Sequence, residues 1–328
     1  MSCRHFLAAF QRPTTNDCSK AGRPGALGWR NRLLCLLVVA TIVAAGDLRY
    51  MLVRFQSLPS STPAPDLPGT GGALLIHGGG RLPDAVRRRF CELAGGLRAR
   101  IVVIPARYVS TDDEAYDRYL GPWKRFGVAS VEVLSAPERS AAERPGFSRP
   151  LSLATGVWLG GGDQLTLAET YSGTPVERQL KALVERGGVV GGSSAGAAAM
   201  TKVMISRGQR AAEEAGGFDL LPDAVIDQHF LKRNRFQRLS GILASHPKLL
   251  GFGIDERTAL VVHLPAWKIS VIGESYVVAC VPGHDGEPAR TEILKPGDRT
   301  SLEALRGWET PVTSSTPSFD ELLTSAGE

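Results

Sequence analysis

The chain has 328 residues, 43% of them hydrophobic and 22% charged. That is ordinary globular composition. It excludes a disordered, collagen-like or polytopic membrane protein and allows one large or two modest domains with a sizeable core. The formal net charge of +5 sits in the first 35 residues, where Arg4, Arg12, Lys20, Arg23, Arg30 and Arg32 face only Asp17. The rest of the chain is balanced, so the basic excess marks a leader and not a nucleic-acid-binding face.

Residues 33–45 read LLCLLVVATIVAA, an apolar run behind Arg30 and Arg32. Spanning a bilayer takes about 20 such residues. The run is therefore short and fits a signal-peptide core, with Ala44 and Ala45 ahead of Gly46. The stretch before it is long for a signal peptide, so retention as an anchor stays open. Residues 1–56 are thus expected to be a basic leader that exports the protein to the periplasm or cell exterior, or anchors it facing outward. Residues 57–71 carry Pro59, Pro63, Pro65 and Pro68 and are expected to be an extended linker. Of the cysteines, Cys3, Cys18 and Cys35 belong to the leader. Cys91 and Cys280 lack metal-ligand spacing, so no disulfide framework or zinc site is expected.

A strand is predicted at 73–77 (ALLIH), closed by Gly78-Gly79-Gly80, then a helix at 84–93 with Val86, Phe90 and Leu93 on one face. The apolar run 101–104 is a strand stopped by Pro105. A helix over 111–126 opens on Asp112, Asp113 and Glu114, acids suited to its positive end. A strand at 128–134, a polar loop at 137–150 and a strand at 157–159 follow, the last running into Gly160-Gly161-Gly162-Asp163-Gln164. A helix over 175–186 has Pro175 in its first turn, and Val189-Val190 leads into Gly191-Gly192-Ser193-Ser194. Strand, glycine-rich turn and helix in alternation predict a doubly wound α/β fold, a mostly parallel sheet with helices on both faces. Its ligand crevice should lie beyond the carboxyl ends of the strands. The close-set strands 249–254, 258–264, 269–272 and 276–281 are expected to form an antiparallel edge. The catalytic domain is taken as 72–285, with a polar carboxy-terminal tail over 286–328.

Gly192-Ser193-Ser194-Ala195-Gly196 fits the G-x-S-x-G pattern of a nucleophile elbow, in the strand-to-helix context that pattern needs. A structural glycine- and alanine-rich turn reads the same way. A serine needs a base, and the base an orienting acid. Among the histidines, His77 ends a strand and can be a packed residue, whereas His229 stands in the abrupt polar cluster Asp227-Gln228-His229 after Val225-Ile226. Glu256 likewise ends a strand, in Gly253-Ile254-Asp255-Glu256. The order serine, histidine, acid differs from that of lipases and esterases. Arg233, Arg235 and Arg238 come next. A helix starting at Asn234, with Gln237 completing a capping box, would place Arg235 and Arg238 on one face. Cations at a helix start want an anion, and a substrate carboxylate would serve.

These blocks resemble cyanophycinase and its relatives in the S51 family of serine peptidases, over roughly residues 72–285. The resemblance rests on LLIHGGG at 74–80, GGGDQ at 160–164, GGSSAGA at 191–197, DQHFLKRNRFQRL at 227–239 and GIDERTA at 253–259. It implies a fold like that of class I glutamine amidotransferases, Ser194 as nucleophile, His229 as base and Glu256 as its orienting acid. It places Gln164, Asp227, Gln228, Arg233, Arg235 and Arg238 in the substrate pocket. Ser193 stands where the family commonly has threonine. The implied activity is hydrolysis of multi-L-arginyl-poly-L-aspartate to β-aspartyl-arginine dipeptides through an acyl-enzyme, with backbone N–H groups of Gly162 and Ala195 holding the oxyanion. No cofactor or metal is expected. The partner expected is an acidic Asp/Arg polymer or an Asp-containing peptide and not nucleic acid, with a membrane tether through residues 33–45 and a homodimer left open. An α-aspartyl dipeptidase-like enzyme, a non-catalytic binder of acidic polymer and an esterase remain alternatives.

Overall fold

A computed structural model of the protein describes residues 71–112, 116–281 and 290–308. The leader, the linker up to residue 70 and the segment at 33–45 lie outside the described residues. Among the described residues, no helix is long and apolar enough to cross a membrane.

The first strand, β1 (Ala73–His77), is buried along its whole length. Leu74 and Ile76 enter one hydrophobic cluster, while Ala73 and Leu75 enter another on the opposite side. A strand covered on both faces has no polar alternation to show, which is why ALLI is continuous. Beside it run β5 (Val189–Ser193), β4 (Gly156–Gly162), β2 (Arg100–Ala106) and β3 (Ser130–Val133), all parallel. On the other flank β10 (Thr258–His263), β11 (Lys268–Gly273) and β14 (Arg299–Ser301) add antiparallel pairs, giving eight strands. Helix α1 (Asp84–Leu93) seats Phe90 against Trp123 and Trp158, with ring centroids 5.0–5.2 Å apart. These tilted and edge-on contacts are the favoured aromatic geometries.

Several elements depart from the predicted ones. Strand β2 does not stop at Pro105; it continues to Ala106 with a register shift between Ile104 and Ala106 against β4. A bulge is where a strand tolerates a proline. The loop at 137–150 holds α3 (Arg139–Ala142), and α4 (Arg149–Leu153) follows at its end; both are too short for a readable period. Only two of the four late strands join the main edge. β9 (Leu250–Ile254) and β12 (Val277–Val281) instead form a second sheet with β8 (Ala224–Gln228) and β13 (Arg290–Leu294), in the order β13-β12-β9-β8.

The carboxy-terminal residues also need correcting. Far from being a loose tail, 290–308 supply β13 to the second sheet and β14 to the first. They also place Leu294, Leu302 and Leu305 in the main core. The domain boundary expected at 285 therefore falls inside the folded unit.

Candidate active site

Strand β5 delivers Ser194 into a turn with φ 52° and ψ −106°, a conformation a serine adopts only when its surroundings enforce it. Three hydrogen bonds enforce it. The Ser194 N–H donates to the His77 carbonyl at 3.0 Å, and the Ser194 carbonyl accepts from Ala197 and Ala198, each at 3.0 Å, opening α7 (Ala195–Ala198). The flanking glycines are a packing requirement. A Cβ on Gly192 would sit 2.6 Å from the Gly196 backbone, and one on Gly196 2.3 Å from the Leu159 carbonyl oxygen.

His229 and Glu256 arrive from the second sheet. Strands β8 and β9 are parallel, with Gln228 in register with Ile254. The residues just past each strand therefore emerge at the same end. His229 takes φ 51°, and its N–H donates to the Gly78 carbonyl at 2.7 Å, tying the second sheet to the turn after β1. The His229 Nδ1–H donates to Glu256 Oε1 at 2.5 Å, since a carboxylate only accepts. That leaves Nε2 as the acceptor for the Ser194 Oγ–H at 2.8 Å. Burial pulls the His229 pKa below its ordinary value; the Glu256 hydrogen bond raises it and the Arg233 charge lowers it, with a net downward shift. Gly79 and Gly80 make room for the pair. A Cβ on Gly79 would lie 2.4 Å from His229 Cε1, and one on Gly80 2.9 Å from Glu256 Oε2. A hydroxyl, a neutral imidazole and a carboxylate in this relay can carry out nucleophilic acyl transfer.

The remaining expected site residues divide by exposure. Arg233 is exposed on the turn after His229. Arg238 is buried, its side chain only 3% exposed. It grips Asp227 in fork fashion, Nε to Oδ2 at 2.9 Å and Nη2 to Oδ1, and donates from Nη1 to the Gly208 carbonyl. Arg235 is buried too and donates to the Gln228 carbonyl at 2.6 Å and its side-chain oxygen at 2.5 Å. The anion that two cations near a helix start demanded is thus Asp227, from within the chain, and not a substrate carboxylate. The helix itself, α8 (Phe236–Ser245), starts two residues later than expected and has no side-chain cap. Asn234 takes the left-handed φ of 46° that asparagine tolerates, so it closes the preceding turn instead of capping. Gln164 is buried, donating to the carbonyls of Ile205 and Ser206 at 3.0 and 2.6 Å. It thereby clamps β6 (Val203–Arg207) to the loop after β4.

Gly162, at the exposed end of β4, has φ 145°. Its neighbour Gly161 approaches the Ser194 turn; a Cβ there would be 3.8 Å from that of Ser194. Ala195 follows Ser194 and is buried. Two features went unread in the sequence. Asp255 is a structural anchor, accepting from the Lys232 N–H at 3.0 Å and from Ser275 Oγ at 2.7 Å. His77 is wholly buried and bonded to Ser193, although its place at a strand end looked like mere packing. Among the described residues, no cluster of three or more His, Cys, Asp or Glu side chains is arranged to hold a metal.

The family model of peptidase family S51 matches residues 74–268, a span that contains Ser194, His229, Glu256 and the other expected site residues. The chain belongs to peptidase family S51. Its S51 relatives include the cyanophycinase of Nostoc sp. (strain PCC 7120), 34% identical over 289 residues, covering 78% of this chain and 93% of that one. The cyanophycinase of Synechococcus elongatus is 39% identical over 204 residues, a match covering 58% of this chain but only 62% of that relative's length. Among solved structures, a peptidase from an acI-B1 Actinobacterium superposes with a TM-score of 0.57 at 22% identity, over 71% of this chain and 98% of that one. That likeness shows the α/β fold.

Proposed function

We propose that the protein is a serine exopeptidase of the cyanophycinase type, cleaving multi-L-arginyl-poly-L-aspartate to β-aspartyl-arginine dipeptides. The observation that carries the reading is the unbroken relay from Ser194 Oγ through His229 to Glu256, at 2.8 and 2.5 Å. His229 Nε2 takes the hydroxyl proton as Ser194 Oγ attacks the aspartyl carbonyl. The oxyanion forms against the N–H groups of Gly162 and Ala195, each such donor being worth ~3 kcal/mol in the transition state. The imidazolium then protonates the leaving amine, and the C–N bond breaks to give the acyl-enzyme. Water attacks that ester, His229 takes its proton and returns it to Ser194 Oγ, and the acid product leaves.

On this reading Arg233 contacts a free carboxylate of the polymer, that of an arginyl branch or of the chain end. Asp227, Gln228, Arg235, Arg238 and Gln164 build the walls that hold His229 and the loop after β4. A second reading, an α-aspartyl dipeptidase-like enzyme, gains from the same arginines, because two of the three are already committed to Asp227 and Gln228. Incubating the purified protein with polymer and with Asp-X dipeptides, and identifying products by mass, separates the two. Ser194→Ala is expected to lower turnover at least ~10³-fold while leaving the folded protein intact. Retained hydrolysis in that variant would overturn both readings.

A further inference from the structure

We propose that His77 and Ser193 form a positioning pair that holds the nucleophile turn, with the His77 imidazole gripping the Ser193 hydroxyl immediately beside Ser194. The inference rests on the reading of Ser194 as the nucleophile. The two residues are cross-strand partners at the carboxyl ends of β1 and β5. His77 Nδ1 lies 2.9 Å from Ser193 Oγ, and the His77 carbonyl accepts the Ser194 N–H at 3.0 Å. One residue thus fixes the side chain before the nucleophile and the backbone of the nucleophile itself. That backbone sits at φ 52° and ψ −106°, which no local preference of serine supports.

The pair has a cost. His77 has no solvent exposure, and its Nε2 is buried without a hydrogen-bond partner among the described residues. An orphaned buried polar atom is a net cost to stability. The other four residues of β1 are Ala, Leu, Leu and Ile, so an apolar side chain would suit the site better if stability alone were at stake. Rules of packing are broken in this way at functional positions. The ring is neutral, its pKa pulled down to about 3 by burial first and then by the charges of His229 and Arg87. A neutral neighbour leaves His229 free to accept the serine proton without facing a second imidazolium.

His77→Leu removes the grip, and so does Ser193→Ala. His77→Asn keeps a polar atom near the place of Nδ1. Two rates decide the matter: labelling of Ser194 by a serine-directed fluorophosphonate, and kcat against KM on the polymer or dipeptide. His77→Leu and Ser193→Ala are each expected to lower labelling and kcat roughly 10- to 100-fold with KM little changed, as a small misplacement of a nucleophile does. The double variant should be no worse than either single one, and His77→Asn should recover most of the loss. Leu and Asn variants that both fold and react alike, single effects that multiply, or a His77→Leu protein as reactive as the parent would overturn the inference and leave Ser194 standing. If His77→Leu does not fold, the half-buried Ser193→Ala alone decides by the same rates. A parent protein whose Ser194 is not labelled and that cleaves neither substrate sinks the functional reading itself, and this inference with it.

Discussion

A histidine works as a general base only while its accepting nitrogen is unprotonated, so with His229 in the proposed role of base its surroundings set the pH at which the site switches on. Burial dominates and pulls its pKa below the ordinary value of about 6.5, Glu256 pushes it up, and Arg233 pushes it down. The proton that must leave before catalysis therefore comes off below pH 6.5. The acid limb of the kcat/KM profile is expected there. Glu256→Gln removes a raising influence, so its limb should move further down, while the rate falls about 10²- to 10⁴-fold through loss of the correct tautomer and of the imidazolium's partner. Arg233→Gln removes a lowering influence, so its limb should move up. A parent limb at or above pH 6.5, or the two variants shifting in the same direction, would refute this account of the base.

At the scale of elements, the turn between β8 and α8 is held by a buried ionic clamp. Asp227, fully buried at the end of β8, is shared by Arg238 and, at 3.6 Å, by Arg235. Burial pushes its carboxyl up and the two guanidiniums pull against that, while burial brings Arg235 down to about 10, still charged at neutral pH. Removing one partner of such a group strands the others. Asp227→Ala is expected to cost ~3–5 kcal/mol in urea denaturation, whereas Arg233→Ala, two residues upstream of Arg235 but exposed, should stay within about 0.5 kcal/mol. A loss under about 1 kcal/mol for Asp227→Ala would show that the clamp is not structural. The clamp also marks how far the sequence could be read. Ser194, His229 and Glu256 were legible because each breaks an apolar strand end with a polar group, and strand ends in this fold converge. The need for an anion near Arg235 and Arg238 was legible too. Its identity was not, because Asp227 lies on a different element and only the packed turn brings it round. Strand β1 and helix α1 could be placed to the residue, since burial on two faces and on one face leave different periods. The split of β9 and β12 into a second sheet had no such signature, because an apolar strand does not record which ladder it joins.

Among the described residues, the two larger sheets share one late segment of the chain. Residues 290–308 close both, pairing β13 with β12 and β14 with β11. Leu294, Leu302 and Leu305 fill the main core from this segment, and Arg290 Nη2 donates to the Leu305 carbonyl at 2.6 Å. Burying each leucine is worth ~1.5–3 kcal/mol, an upper estimate against a compact denatured chain. Three of them approach the whole margin of an ordinary domain, about 5–15 kcal/mol. Their loss would also bare the edges of β11 and β12, and open strand edges template aggregation. An otherwise unaltered chain stopped at residue 285 is therefore expected to be insoluble, or to lose its cooperative thermal transition by circular dichroism. Since β9, which leads into Glu256, pairs with β12, the damage should reach the site, and fluorophosphonate labelling of Ser194 should fall with the fold. A shortened chain that melts cooperatively within a few degrees of the full one and labels at the same rate would show that this segment is an appendage after all.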